Sequence, residues 1–319
     1  QNYSISFTEP WLGGEKPNSL TVSLYKSISS NGQQNEQREA IEITGVTLGL
    51  GKRLKSPDDY FTLYNGVNLQ QYKLINSQSF FSFRNGFSNN INYNIKLGRN
   101  SVDQLIFPRR GSNFLLSLKV TPPYSIFDGV DDYTSISDQE KYSWIEYYKW
   151  KFKSSWFSSF TDKLVLNTRI EMGLLGSYNK NLGVAPFERF YVGGDGMSGM
   201  GYQFDGRELI SLRGYSNNSI SPQTGATIYN KYTSEIRYAL SLNPSSTMYA
   251  LAFVEAGNAW ESFDNFNPFG VKRSAGFGVR IMLPMIGMMG LDYGWGLDDI
   301  PGRPDANGGQ FHFSIGQQF

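Results

Sequence analysis

The chain has 319 residues and no cysteine, which excludes disulfides and thiolate metal sites, and its net charge of +1 gives no support for a nucleic-acid partner. Charged residues are 18% of the chain, below the ~25% of ordinary soluble domains, and aromatics reach 15%. The mean hydropathy of −0.38 nevertheless excludes a stack of transmembrane helices. A sheet in which only every second residue meets lipid satisfies both facts.

Taken in order, the chain opens at Gln1-Asn2-Tyr3 directly into alternation, with no signal peptide, which reads as a mature or excised piece. Tyr3, Ile5 and Phe7 alternate with Ser4, Ser6 and Thr8; Leu20, Val22 and Leu24 alternate with Thr21, Ser23 and Tyr25. Val46, Leu48 and Leu50 oppose Thr47, Gly49 and Gly51, and a strand-like segment follows over 60–75. The cleanest alternation sets Ile91, Tyr93, Ile95 and Leu97 against Asn92, Asn94, Lys96 and Gly98. After the turn Phe107-Pro108-Arg109-Arg110-Gly111, Phe114, Leu116, Leu118 and Val120 continue the pattern. Tyr148, Trp150 and Phe152 oppose three lysines; Leu164, Leu166, Ile170 and Met172 oppose Asn167, Arg169 and Glu171. Further strands are expected near 226–241, 247–260, 273–283 and 286–295, and a last one over 311–319.

Such a period of two gives one apolar and one polar face, and by itself fits either a soluble sandwich or a barrel in lipid. The segments run to about ten residues, as a membrane strand needs (~9–11), and their ends carry Trp and Tyr as a girdle would. Connections alternate between short turns and long loops, as in outer-membrane barrels. The expected fold is all-β: a transmembrane antiparallel β-barrel of about thirteen strands with a long inward-folded loop.

That loop, 178–226, exceeds the ~12–15 residues at which structureless connections become suspect, and its aromatics (Phe187, Phe190, Tyr191, Tyr202, Phe204, Tyr215) argue for a folded body. It contains FYVGGDG and ends in Leu212-Arg213-Gly214-Tyr215. With FVEAGNAW, SAGFGVRIMLP…GLDYGWG and the terminal FHFSIGQQF, these segments resemble the Omp85 superfamily, most closely its outer-membrane assembly factors; FTEPW and FPRRGS extend the resemblance over the whole chain. The resemblance implies a sixteen-stranded barrel of which Tyr3 lies on the fourth strand, with POTRA domains upstream. It implies that Arg213 enters the lumen to meet Glu235 and Glu255. The parity of Glu235 points it inward, whereas Glu255 shares parity with Leu251 and Phe253 and requires a bulge or an apolar lumen patch. An insertion over 197–211 departs from the family pattern.

The resemblance further implies an insertase of the Gram-negative outer membrane that folds client β-barrels, with outer-membrane lipids, clients and accessory lipoproteins as partners. It implies a lateral seam formed by the terminal strand, with Phe311, Phe313, Ile315 and Phe319 on one face and a kink at Gly316. No cofactor, metal or covalent chemistry is expected. The alternatives are a two-partner-secretion or TamA-like translocator, a passive porin, and a soluble β-sheet binding protein. Other motifs are read blandly. The glycine pattern of 194–199 lacks the helix a dinucleotide site needs, and Glu235 with Glu255 suits salt bridging better than glycosidase chemistry. His312 is the lone histidine, and Asp298, Asp299 and Asp305 read as solvated loop acids.

Overall fold

The computed structural model describes residues 1–14, 18–32, 38–77, 82–130, 132–196, 207–243, 246–284 and 287–316. The strands are β1 (Asn2–Glu9), β2 (Asn18–Ser30), β3 (Ala40–Arg53), β4 (Phe61–Ile75), β5 (Gly86–Asn100), β6 (Gly111–Val120), β7 (Tyr148–Ser159) and β8 (Leu164–Gly176). They continue with β9 (Phe190–Val192), β10 (Glu208–Ile210), β11 (Ile228–Ser241), β12 (Met248–Trp260), β13 (Lys272–Leu283), β14 (Gly287–Gly296) and β15 (Gly309–Ile315). Among the described residues thirteen of these form one antiparallel meander, with β8 beside β11, and the three-residue strands β9 and β10 pair in parallel inside the long loop. The thirteen segments expected from alternation are the thirteen of this sheet. The last differs in its limits: β15 begins at Gly309 and ends at Ile315, and Phe319 lies outside the described residues.

Exposure settles which face looks where. The apolar positions point outward: Ile5 is 69% exposed, Leu48 50%, Ile236 50% and Phe311 74%, while polar Asn90, Asn167, Arg169, Glu235 and Ser314 are buried. A sandwich would bury the first set and hydrate the second; this inside-out arrangement is that of a barrel whose outer face meets hydrocarbon. Exposed Trp11, Tyr60, Trp156 and Phe160 collect at the short-turn end, and Trp144, Phe263, Trp295 and Phe311 at the long-loop end, two interfacial aromatic bands. Among the described residues no helix is long and apolar enough to cross a membrane; the crossing is made by strands.

The sheet curls around its longest loop. Phe187 packs against Tyr72 of β4 with rings tilted (centroids 4.5 Å apart), and Phe190 meets Tyr229 of β11 edge to face (4.7 Å). Loop residues Val192, Leu212, Tyr215 and Ala226 are fully buried with them. The loop is thus a packed core within the lumen, and its aromatic content is what makes it one. Most of the insertion, 197–206, and with it much of the 194–199 glycine pattern, lies outside the described residues.

Candidate functional site

Antiparallel register assembles the lumenal site. Thr233 of β11 faces Glu255 of β12, and Glu235 faces Phe253, so the two glutamates are diagonal neighbours on the inward face. Across β13, Leu251 aligns with Gly278, and Gly278 with Asp292 of β14, which brings a third carboxylate to the same wall. Glu255 points inward without a bulge at its position. The register shift in this pair lies near Ala239 and Ser241, so the lumen here carries an apolar patch of Tyr249, Leu251 and Phe253.

Arg213 descends from the loop onto this wall and is completely buried. Its Nη2 donates to Oε1 of Glu235 and to Oε1 of Glu255, both at 2.8 Å, and its Nη1 lies 3.6 Å from Oδ1 of Asp292. The backbone N–H of Arg213 donates to the second oxygen of Glu255 at 2.9 Å, so one carboxylate fixes both ends of the arginine. The guanidinium carbon sits 3.5 Å from the centroid of the Phe253 ring, a stacked cation–π contact. Burial opposes the charged form of Arg213, but Glu255, Glu235 and Asp292 more than offset this and hold its pKa above the usual range. The carboxylates have further cations: Lys231 on Glu255 (3.1 Å), Arg237 on Glu235 (2.6 Å), and Arg280 gripping Asp292 through both nitrogens (2.9 and 2.7 Å). Removing one member leaves the others buried without full compensation.

The neighbours of Arg213 complete the latch. Leu212 is buried against the loop core. Gly214 has φ +85°, and a Cβ there would lie 2.6 Å from the backbone of Trp295 and Gly296, so only glycine lets the loop lie flat on β14. Its amide donates to Nε2 of His312 on β15 at 2.8 Å. The Tyr215 hydroxyl donates to the carbonyl of Arg273 at 2.6 Å and accepts from the amide of Asp298. Asp298 itself binds the Arg273 guanidinium.

A second ionic cluster ties the loop to the wall formed by β6 and β7. Glu188 meets Lys119 of β6 (3.3 Å) and Lys149 of β7 (3.0 Å); Glu208 meets Lys149 (2.7 Å) and Lys151. Burial pushes the Glu188 and Glu208 carboxyls up, but the lysines win and bring each to about 2. Glu188 is held at φ +65°, a strained conformation for a non-glycine residue.

On the terminal strand, Phe311, Phe313 and Ile315 face outward and His312 and Ser314 inward. Gly316 departs from strand geometry at φ +69° while its amide still donates to the carbonyl of Met288 at 2.7 Å. The structure therefore brings Arg213, Glu235 and Glu255 together, places Gly214 against β15, and leaves the outward terminal-strand residues on the other face of the sheet from that cluster. Asp292 in the latch and Glu188 in the second cluster were not singled out from sequence; Phe253 was noted only for its parity with Glu255, and His312 only as the lone histidine. The signal available was the parity of Asp292 with Gly290 and Gly294 in GLDYGWG.

The Omp85 superfamily domain matches residues 1–319. The outer membrane protein assembly factor BamA of Neisseria meningitidis serogroup B (strain ATCC BAA-335 / MC58) is 24% identical over 179 residues, which is 51% of this chain and 18% of that protein. The structure of BamA from Haemophilus ducreyi lacking POTRA domains 1-3 superposes with a TM-score of 0.68 at 19% identity, covering 98% of this chain and 61% of the other. CdiB from Escherichia coli superposes with a TM-score of 0.57 at 14% identity, covering 98% and 52% respectively. The chain thus spans less than two thirds of each of these relatives, and the two structural likenesses speak to fold. With its inside-out strands and a family match along its whole length, the chain belongs to the Omp85 superfamily and is a β-barrel of the Gram-negative outer membrane.

Proposed function

We propose that this chain is the barrel of an insertase that folds β-barrel proteins into the outer membrane through a lateral seam beside β15. The observation that carries the reading is the tie between the lumenal loop and the terminal strand, Gly214 to His312 at 2.8 Å. Among the described residues β15 is laddered to β14 alone. At a weakly laddered seam beside β15, N–H and C=O groups would be open to an incoming client strand, the geometry of β-augmentation. The φ of +69° at Gly316 and the outward Phe311, Phe313 and Ile315 support a lipid-facing seam, where a client would arrive. The work is catalysed folding, with no covalent step and no cofactor. POTRA domains and the strands completing a sixteen-stranded barrel belong to the same proposal, as do accessory lipoproteins that deliver clients.

The test uses the full-length protein in proteoliposomes. This chain contributes no cysteine, so a disulfide placed between β15 and the first strand of the complete barrel is free of competing thiols. Client folding, read as heat-modifiable migration of a model barrel, is expected to stop on oxidation and return on reduction. Undiminished folding with the seam locked overturns the reading. Export of a soluble polypeptide without client insertion assigns the chain to the superfamily's translocators instead, and a large steady pore assigns it to porins.

A further inference from the structure

Besides the wall residues that pack on the long loop, the inward face carries a second apolar cluster. Near the short-turn end, Phe157 of β7, Val165 of β8, Ala239 of β11, Tyr249 and Leu251 of β12 and Met288 of β14 converge as a buried apolar cluster. What they converge on is no wall residue. It is Phe107, from the turn over 101–110 that joins β5 to β6, only 2% exposed. Its ring packs 5.2 Å from that of Tyr249. In the sheet, β12 is separated from β6 by β7, β8 and β11, so the turn reaches inward across the mouth rather than lying along its own edge.

The turn is built to hold that position. Asp103 accepts the amides of Arg109 (2.8 Å) and Arg110 (3.2 Å), and its own amide donates to the carbonyl of Arg110. Arg110 donates to the Ser159 hydroxyl at 3.2 Å, anchoring the outer limb to β7. Leu105, two residues before Phe107, is 81% exposed, whereas Phe107 and Pro108 are buried and Val102 and Ile106 pack against the same cluster, so the turn inserts by one side and leaves its tip in solvent. A pocket of about 440 Å³ lies between the turn and Leu242 and Thr247.

We propose that the turn over 101–110 is a stopper: Phe107 closes the short-turn mouth of the lumen, as a seal separate from the loop that fills the long-loop end. The two seals share a floor. Phe253, in the same apolar cluster, carries the Arg213 guanidinium on its ring. Tyr249, which Phe107 touches, faces Arg237 at 5.6 Å, and Arg237 holds Glu235, a partner of Arg213. Losing either seal leaves the other in place; losing both opens a continuous wet path. This holds whether the barrel inserts clients or exports them.

Single-channel recording of the full-length protein in planar bilayers tests it, with Phe107→Ser, Arg213→Ala and the double variant, and Leu105→Ser as a control on the same turn. The double variant is expected to carry roughly tenfold more steady open-channel current than either single variant, a non-additive effect because two barriers in series must both fail before current flows, and Leu105→Ser to match the parent. Arg213→Ala alone as conductive as the double variant, or a double variant as closed as the parent, overturns the proposal. A second measurement does not depend on Phe107→Ser folding. A thiol introduced by Ala239→Cys, beneath the stopper in an otherwise native protein, is expected to resist a membrane-impermeant maleimide added from the short-turn side. Labelling as fast as at an exposed turn position overturns the proposal without any change at Phe107.

Discussion

Gly214 and His312 are 98 residues apart in sequence and joined by a 2.8 Å hydrogen bond in which the glycine amide is the donor. Nε2 of His312 is therefore the acceptor, and the imidazole proton sits on Nδ1. This contact makes the loop part of the terminal hairpin: β14 supports Gly214 from below and β15 receives its amide.

Gly214→Ala tests the close approach. The residue requires φ +85° and its new methyl would meet the backbone of Trp295 and Gly296 at 2.6 Å, neither of which can move without breaking a ladder. A loss of more than about 1 kcal/mol is expected, since the native φ/ψ does not suit alanine, read as a lower heat-modifiability midpoint. Tyr215→Phe, which deletes the bond to the Arg273 carbonyl and the one accepted from the Asp298 amide, is expected to cost about 1 kcal/mol. The reverse order would show that the loop does not lie flat on β14.

Arg213→Ala removes the cation shared by Glu235 and Glu255 and is expected to cost about 3–5 kcal/mol, the penalty for breaking a buried ionic group from one side. Loop cleavage by added protease should accelerate and client insertion should fall. Arg213→Lys is expected to rescue only part of this, because an ammonium cannot reproduce the planar stack on Phe253 or reach the backbone-fixed pair of carboxylates together. Full rescue by lysine would reduce the site to simple charge balance.

Asp292→Ala is expected to be about as damaging as Glu255→Ala. It strands Arg280, which grips both oxygens of Asp292 inside the wall, and removes the third carboxylate facing Arg213. Unfolding midpoints of the two variants in the same detergent check the comparison; a silent Asp292→Ala would confine the latch to β11 and β12.

Acid should release the loop from its second anchor. Docked Glu188 titrates at about 2, against about 4.3 for an unperturbed glutamate. A depressed carboxyl contributes its full stability above the unfolded value and loses it as pH falls toward the folded one. Protease sensitivity of the loop is therefore expected to rise between about pH 4 and pH 2. Glu188→Gln is expected to raise that sensitivity at neutral pH and flatten the acid response. A variant with an unchanged pH profile would place the transition elsewhere.

How much was legible beforehand divides by distance along the chain. Alternation located all thirteen sheet strands because the pleat is a property of adjacent residues, and turn lengths sorted the two ends of the barrel. The parity of Glu235 gave its direction. Glu255 resisted because its strand neighbours Leu251 and Phe253 are apolar, and only the structure shows that they line a lumenal patch closed by Phe107. Asp292 escaped notice because its partners lie on a loop and on a neighbouring strand, and Glu188 because its lysines lie on β6 and β7.

By itself, then, the sequence determined that this chain makes long two-faced strands joined by alternating short and long connections, with one aromatic loop too cohesive to be unstructured. The tertiary structure decided that the apolar face looks outward, that the loop is latched by three carboxylates rather than two, and that a turn from the other end reaches inward to Tyr249. The physical reason is that periodicity is written locally, whereas curvature and register act across strands: closing a sheet brings Phe107 to Tyr249 and Gly214 to His312, pairs that no local pattern connects.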